Sequence, residues 1–284
     1  MIRPYTVDRC GSVVPMEKAR YQDDPEPRGL IWIFEPPAMN ATYFMGVDAT
    51  KGIPGWHRSL RTVDDEKTDN GVIEVIRKGN QDKGIPDQQV AEYAAPIDPE
   101  DLADVANALG RMYAGRNDDG QCMANIEVWP GPGWMTAKKM IHQYGYTNIW
   151  IPRYVNTLAP QSARNVIGWQ SNQRTMRDLW IRGQKHISLK RLLIRSPWLV
   201  EEFTDCETDP VRMTAKATFG HHDDRAIAIL LAIYAAHDWN SEMAIETEKR
   251  DVSEGPVASW QASDISADDL ESAWEERFSE LMES

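Results

Sequence analysis

A chain of 284 residues with 42% hydrophobic residues is long enough to bury a substantial core. No apolar run approaches the ~20 residues that span a bilayer, and the start, Met1-Ile-Arg-Pro-Tyr, lacks the apolar core of a signal peptide, so a soluble cytoplasmic protein without membrane attachment is expected. Three scattered cysteines, Cys10, Cys122 and Cys206, exclude a disulfide framework or a thiolate metal site, and the net charge of −13 argues, taken as an average, against a nucleic-acid partner.

The average conceals a segregation of charge. Between Lys138 and Arg195 there are 11 bases and a single acid, Asp178, whereas residues 241–284 carry 13 acids and 3 bases. A surface that serves only solubility mixes signs, so the basic block reads as a phosphate-binding surface contributed by Lys138, Lys139, Arg153, Arg164, Arg174, Arg177 and Lys185.

In chain order, residues 1–28 are polar and Pro-punctuated and read as an entry segment. Leu30–Phe34 is a short β-type run that Glu35-Pro-Pro ends. Tyr43-Phe-Met-Gly-Val-Asp48 is apolar, too short for a helix and bounded by turn formers; it predicts a central strand with Asp48 at its end and Lys51 in the loop that follows. Residues 56–60 and 71–78 continue a β-meander.

Asp98-Pro-Glu-Asp supplies an N-cap with Pro at the first helical position, and Leu102, Val105, Ala106, Leu109 and Met112 follow at helical spacing. Cys122-Met-Ala-Asn-Ile-Glu127-Val repeats the earlier pattern of an apolar strand closing on a carboxylate. Residues 134–144 read as a helix and 146–152 as a further strand, which gives an α/β sheet with parallel neighbours. Helices are also expected over 172–181 and 197–203.

Asp223 and Asp224 precede an Ala-rich apolar run, 226–236, too long for a strand and apolar all round, hence a buried helix. Beyond residue 240 the composition predicts a largely disordered acidic tail with one short amphipathic helix, leaving 29–240 as the globular domain.

Asp48, Glu127, Asp223 and Asp224 would repel one another if they converged, unless a hard cation lay among them, and all-oxygen donors suit Mg2+ or Mn2+. A pair of such ions hydrolyses phosphodiesters. Acids at a helix start are also ordinary caps, which explains one aspartate better than two. His221 and His222, beside them, read first as capping or packing residues, with an auxiliary role at the site for His222.

The joint pattern resembles the nuclease domain of the large terminase subunit of tailed bacteriophages. It runs through Tyr43-Phe-Met-Gly-Val-Asp48, Ala124-Asn-Ile-Glu127, Gly145-Tyr-Thr-Asn-Ile, Gly168-Trp169 with Thr175-Met-Arg177, and Gly220-His-His-Asp223-Asp224. The resemblance implies a ribonuclease H-like mixed sheet over 29–240, flanked by helices, that cuts double-stranded DNA during viral genome packaging in the host cytoplasm. It also implies two Mg2+ or Mn2+ ions on Asp48, Glu127, Asp223 and Asp224, with a packaging ATPase, a small terminase subunit and a portal as partners. No G-x-x-x-x-G-K-[ST] loop is present, so the ATPase of that family would lie elsewhere in a longer protein or on a separate chain.

Other readings remain at this point: a resolvase or transposase core of the same fold superfamily, a non-catalytic DNA-binding module, or an actin- or sugar-kinase-like ATPase. Met45-Gly-Val-Asp-Ala-Thr-Lys-Gly52 suits the ATPase, but the chain lacks a second phosphate loop and a glycine-rich adenosine loop.

Overall fold

The computed structural model describes residues 3–8, 10–15, 28–53, 68–117, 120–129, 131–152, 167–209, 214–218 and 222–237. Arg153, Arg164, His221, the run 56–60 and the acidic tail 241–284 lie outside these described residues.

The sheet grows outward from β4, Tyr43–Asp48, whose six residues are all buried. Preceding it in the chain are β1, Arg3–Val7, β2, Val13–Pro15, and β3, Ile31–Ile33. Following it are β5, Gly71–Arg77, β6, Asp87–Ala95, and β7, Met123–Trp129. β8 is Trp169–Gln170 and β9 is Leu192–Leu193. The sheet order is β2-β1-β3-β6-β5-β4-β7-β8, with β9 pairing β6. β4, β5 and β6 are mutually antiparallel, while β7 runs parallel to β4 and β8 parallel to β7. The central β6-β5-β4-β7-β8 segment is three antiparallel strands followed by two parallel ones, a mixed α/β sheet of the kind expected from the sequence. A separate hairpin pairs β10, Cys206–Asp209, with β11, Thr214–Ala217.

Alternation along β4 sends side chains to two cores. Tyr43, Met45 and Val47 face a core shared with α1, Pro99–Met112, and α2, Gly133–Tyr144. Phe44 faces a core formed with α3, Gln173–Ser188, α4, Pro197–Asp205, and α5, Asp224–His237. Gly46 and Asp48 share the Phe44 side by the same alternation.

Gly46 decides how closely α5 lies on that face. A Cβ there would sit 1.9 Å from the Ala228 carbonyl oxygen and 2.6 Å from the Ala232 nitrogen, so only glycine lets the helix backbone rest on the strand. On β7, beside it, Asn125 donates to the Leu231 carbonyl at 3.0 Å. With Ala228 over Gly46, the first residue of α5 falls one turn back, above the end of β4.

The structure departs from the sequence expectations at several elements. The segment 1–28 contributes two strands that extend the sheet beyond β3. Among residues 146–152, a parallel bridge between Ile149 and Ala124 replaces the expected strand, and the sheet continues instead through β8. The helix expected to end at 181 runs to Ser188, because Leu179, Trp180, Gly183 and His186 keep a buried stripe past that point. β6, nine residues long, has no counterpart in the sequence reading.

Candidate metal centre

β4 and β7 pair in parallel with Val47 beside Ile126, so one residue further the same register sets Asp48 beside Glu127 on one face. Their carboxyls lie within hydrogen-bonding reach, and Asp48 is only 6% exposed. Burial first, then the negative charge of Glu127 and of both α5 aspartates, pushes Asp48 well above the ordinary carboxyl range. Ser171, just past β8, donates its hydroxyl to Glu127 Oε1 and so fixes that carboxylate. The turn into α2 packs against the same strand end: a Cβ on Gly133 would sit 1.8 Å from the Glu127 carbonyl oxygen.

Asp223 and Asp224 arrive from the start of α5. Asp224 accepts the Asn70 amide at 2.8 Å, is 7% exposed and is pushed up to about 7, chiefly by burial, with Asp69 and Asp223 adding to it. Asp223 accepts the Ala217 amide at 3.3 Å. His222 Nδ1 stands 3.4 Å from Asp69 Oδ1 and 3.6 Å from Asp224 Oδ2. Asp69, His222 and Asp224 thereby bring three donor atoms to one point beside the Asp48–Glu127 pair.

These aspartates are not spent on capping α5. The amides of Arg225 and Ala226 donate instead to Glu202 Oε2 of α4, at 2.8 and 3.2 Å. The Arg225 guanidinium binds Glu202 Oε1 at 2.8 Å and Glu92 Oε1 at 3.1 Å, all three groups being buried. Glu202 is thus both the N-terminal acceptor of α5 and the partner of its first cation, and the carboxylates of Asp223 and Asp224 stay directed to the site. Sequence reasoning missed Asp69, Asn70, Ser171 and Glu202. Of these, only Ser171 had a local signal, three residues after the Gly168 turn.

The described basic residues fall on two faces of the sheet. Lys138 and Lys139 belong to α2, where Lys139 pairs with Asp104 at 2.6 Å. Arg174, Arg177 and Lys185 are exposed on α3, on the Asp48 side. Arg174 and Arg177 lie within two turns of Ser171, and Lys51 is exposed three residues after Asp48. Trp169 is core, its ring centroid 4.7 Å from that of Tyr234, whereas Trp129, two residues after Glu127, is 44% exposed. No helix among the described residues is long and apolar enough to cross a membrane.

A set of four carboxylates, two on adjacent strands and two at one helix start, with Asp48 and Asp224 buried and Glu127 and Asp223 half-buried, fits a hard divalent cation: the carboxylate donors are oxygens, and the elevated Asp48 and Asp224 register mutual repulsion that Arg225 offsets only in part. No family model matches the chain, and no curated protein matches it. Among solved structures the chain is similar in fold to the large terminase nuclease from thermophilic phage G20c, with 14% sequence identity, 74% of this chain and 89% of that one covered, and a TM-score of 0.46.

Proposed function

We propose that the chain is a metal-dependent endonuclease that hydrolyses phosphodiester bonds of double-stranded DNA, acting in viral genome packaging as the terminase-like sequence pattern implies. The observation that carries the chemistry is the Asp48–Glu127 pair facing Asp223 and Asp224, held free of helix capping by Glu202. Asp48, Glu127 and one or both α5 aspartates would hold two Mg2+ or Mn2+ ions. When bound, such ions supply Lewis-acid activation of the attacking water and neutralise charge on the scissile phosphate.

The chain's own residues do the rest. Ser171 keeps one oxygen of Glu127 engaged, so the carboxylate turns a fixed lone pair to the site. His222, between Asp69 and Asp224, orients or accepts a proton at Nδ1. Arg174, Arg177 and Lys51 carry exposed cations on the rim, where phosphate contacts position the duplex without reading its sequence. The packaging ATPase, small subunit and portal remain partners by resemblance.

Nicking of supercoiled plasmid tests the reading. With Mn2+ the parent protein should cleave, excess chelator should stop it, and Asp48→Asn or Glu127→Gln should lower the rate on the order of 10³-fold, about 4 kcal/mol of barrier. A folded Glu127→Gln protein that cleaves at the parental rate would overturn the assignment.

A further inference from the structure

The far end of α5 carries a second group of converging donors that plays no part in the carboxylate centre. Asp87 opens β6, His186 lies in the last turn of α3 and His237 ends α5. His186 Nε2 is 2.9 Å and His237 Nε2 is 2.6 Å from the same oxygen, Asp87 Oδ2, and the two imidazole rings are 4.8 Å apart. The other carboxylate oxygen, Oδ1, accepts the Gly79 amide at 2.7 Å, which fixes the carboxylate plane.

The location is distinct from the proposed nuclease site. Asp48 ends β4, opposite Val72 and hence Ala94, whereas Asp87 opens β6 beside the end of β5. Seven residues of β6 separate Ala94 from Asp87, roughly 23 Å along the strand.

Two imidazole nitrogens and one carboxylate oxygen on three different elements, meeting at one point, are the three-ligand set of a zinc-class ion. Asp87 is 0% and His186 3% exposed, so the site is dry on the sheet side, and the His237 side chain, 16% exposed, leaves an entry from solvent. Each imidazole nitrogen needs to draw back from Asp87 Oδ2 by only about 0.4–0.8 Å to span the edge of a tetrahedron with ~2.0–2.1 Å bonds. The Gly79 amide on Oδ1 is an outer partner of the kind that orients a ligating carboxylate. At this helix end Lys78 Nζ is held by the Ala236 carbonyl at 2.5 Å and lies over the Phe44 ring.

We propose that Asp87, His186 and His237 form a structural Zn2+ site that ties β6, α3 and the C-terminal end of α5 together, with the fourth position open to water. Two nitrogen donors against one oxygen set its preference apart from that of the carboxylate-dominated nuclease centre: Zn2+ or Co2+ should occupy it and Mg2+ should not.

The test uses the full chain stripped with chelator. Added Zn2+ should be retained after dialysis at one equivalent above the His237→Gln background and should raise the melting temperature; Co2+ should give the visible ligand-field absorption of a low-coordinate N/O site. His237→Gln, at a helix end with solvent access, should keep the parental circular dichroism while losing the Co2+ absorption and weakening Zn2+ binding by on the order of 10–100-fold. His186→Gln should act likewise. Asp48→Asn should leave the Zn2+ affinity and the Co2+ absorption unchanged. Failure of the parent to retain Zn2+, or Zn2+ binding that survives His237→Gln and vanishes in Asp48→Asn, would overturn the proposal. Neither result bears on plasmid cleavage with Mn2+.

Discussion

At its N-terminal end α5 meets Asp48, Glu127 and its own two aspartates; at its C-terminal end it delivers His237 to Asp87 and His186. The first gathering sets like charges together and pushes Asp48 and Asp224 up. The second sets unlike groups together: burial alone would raise Asp87, but hydrogen bonds from both imidazoles outweigh it and hold the carboxyl far below its usual range. With no metal bound, one end is held by hydrogen bonds between unlike groups, and the other is under electrostatic strain. A fold that builds a repulsive cluster from two strands and a helix, and supplies Glu202 so that the helix does not need those acids as caps, carries a cost that protons or a bound cation offset.

The largest way to break the contrast is through Arg225, the cation that holds the acidic end in register. Arg225→Met leaves Glu92 and Glu202 buried without their partner and should cost about 3–5 kcal/mol in urea unfolding. Because Glu202 also receives the first α5 amides, amide exchange should rise at residues 225–228 well before it rises near His237. Equal exchange at both ends would mean that α5 is held as one unit and that the two ends are not separately fastened.

A smaller effect carries the sign of the comparison. With chelator present, Asp48→Asn removes one member of a repelling set and should raise stability by about 1 kcal/mol. Asp87→Asn removes the shared acceptor of two imidazoles and should lower it by about 2 kcal/mol. Thermal melting of the two variants beside the parent reads both shifts. Shifts of the same sign would erase the distinction.

The acidic end was largely legible in the sequence and the histidine end was not, for a physical reason. Asp48 and Glu127 each close an apolar strand, and Asp223–Asp224 open an all-apolar helix, so each acid is marked by the local pattern next to it. Asp87, by contrast, opens β6, whose inward positions include Gln89 and Glu92. Gln89 binds Glu74 at 2.8 Å and Glu92 binds Arg225, so the strand buries polar groups against long-range partners and shows no period-two apolar signal. His186 and His237 lie 99 and 150 residues from Asp87, and no spacing relates the three before the fold brings them together. The same holds for Glu202, whose capping role depends on α4 docking at the start of α5.

The pH dependence of stability separates the two ends by the ranges in which they titrate. Asp224 takes its proton at about 7 in the folded protein against 3.8 for the free side chain, and Asp48 is also raised. Between those values the folded state binds more protons than the unfolded state, so stability falls as pH rises through that window. Asp87 is shifted the other way: its contribution is complete above the unfolded value near 3.8 and is lost only in stronger acid, so its carboxyl adds no slope between about 4 and 7. Metal-free protein should therefore melt at a higher temperature at pH about 5.5 than at pH about 8, by on the order of 1 kcal/mol, since the neighbouring carboxyls share their protons. Mn2+ at pH about 8 should recover the difference by taking the place of those protons. Asp224→Asn should reduce the slope, the remainder belonging to Asp48 and to Glu202, which burial pushes up to about 7; a slope unchanged in that variant would overturn the assignment to Asp224.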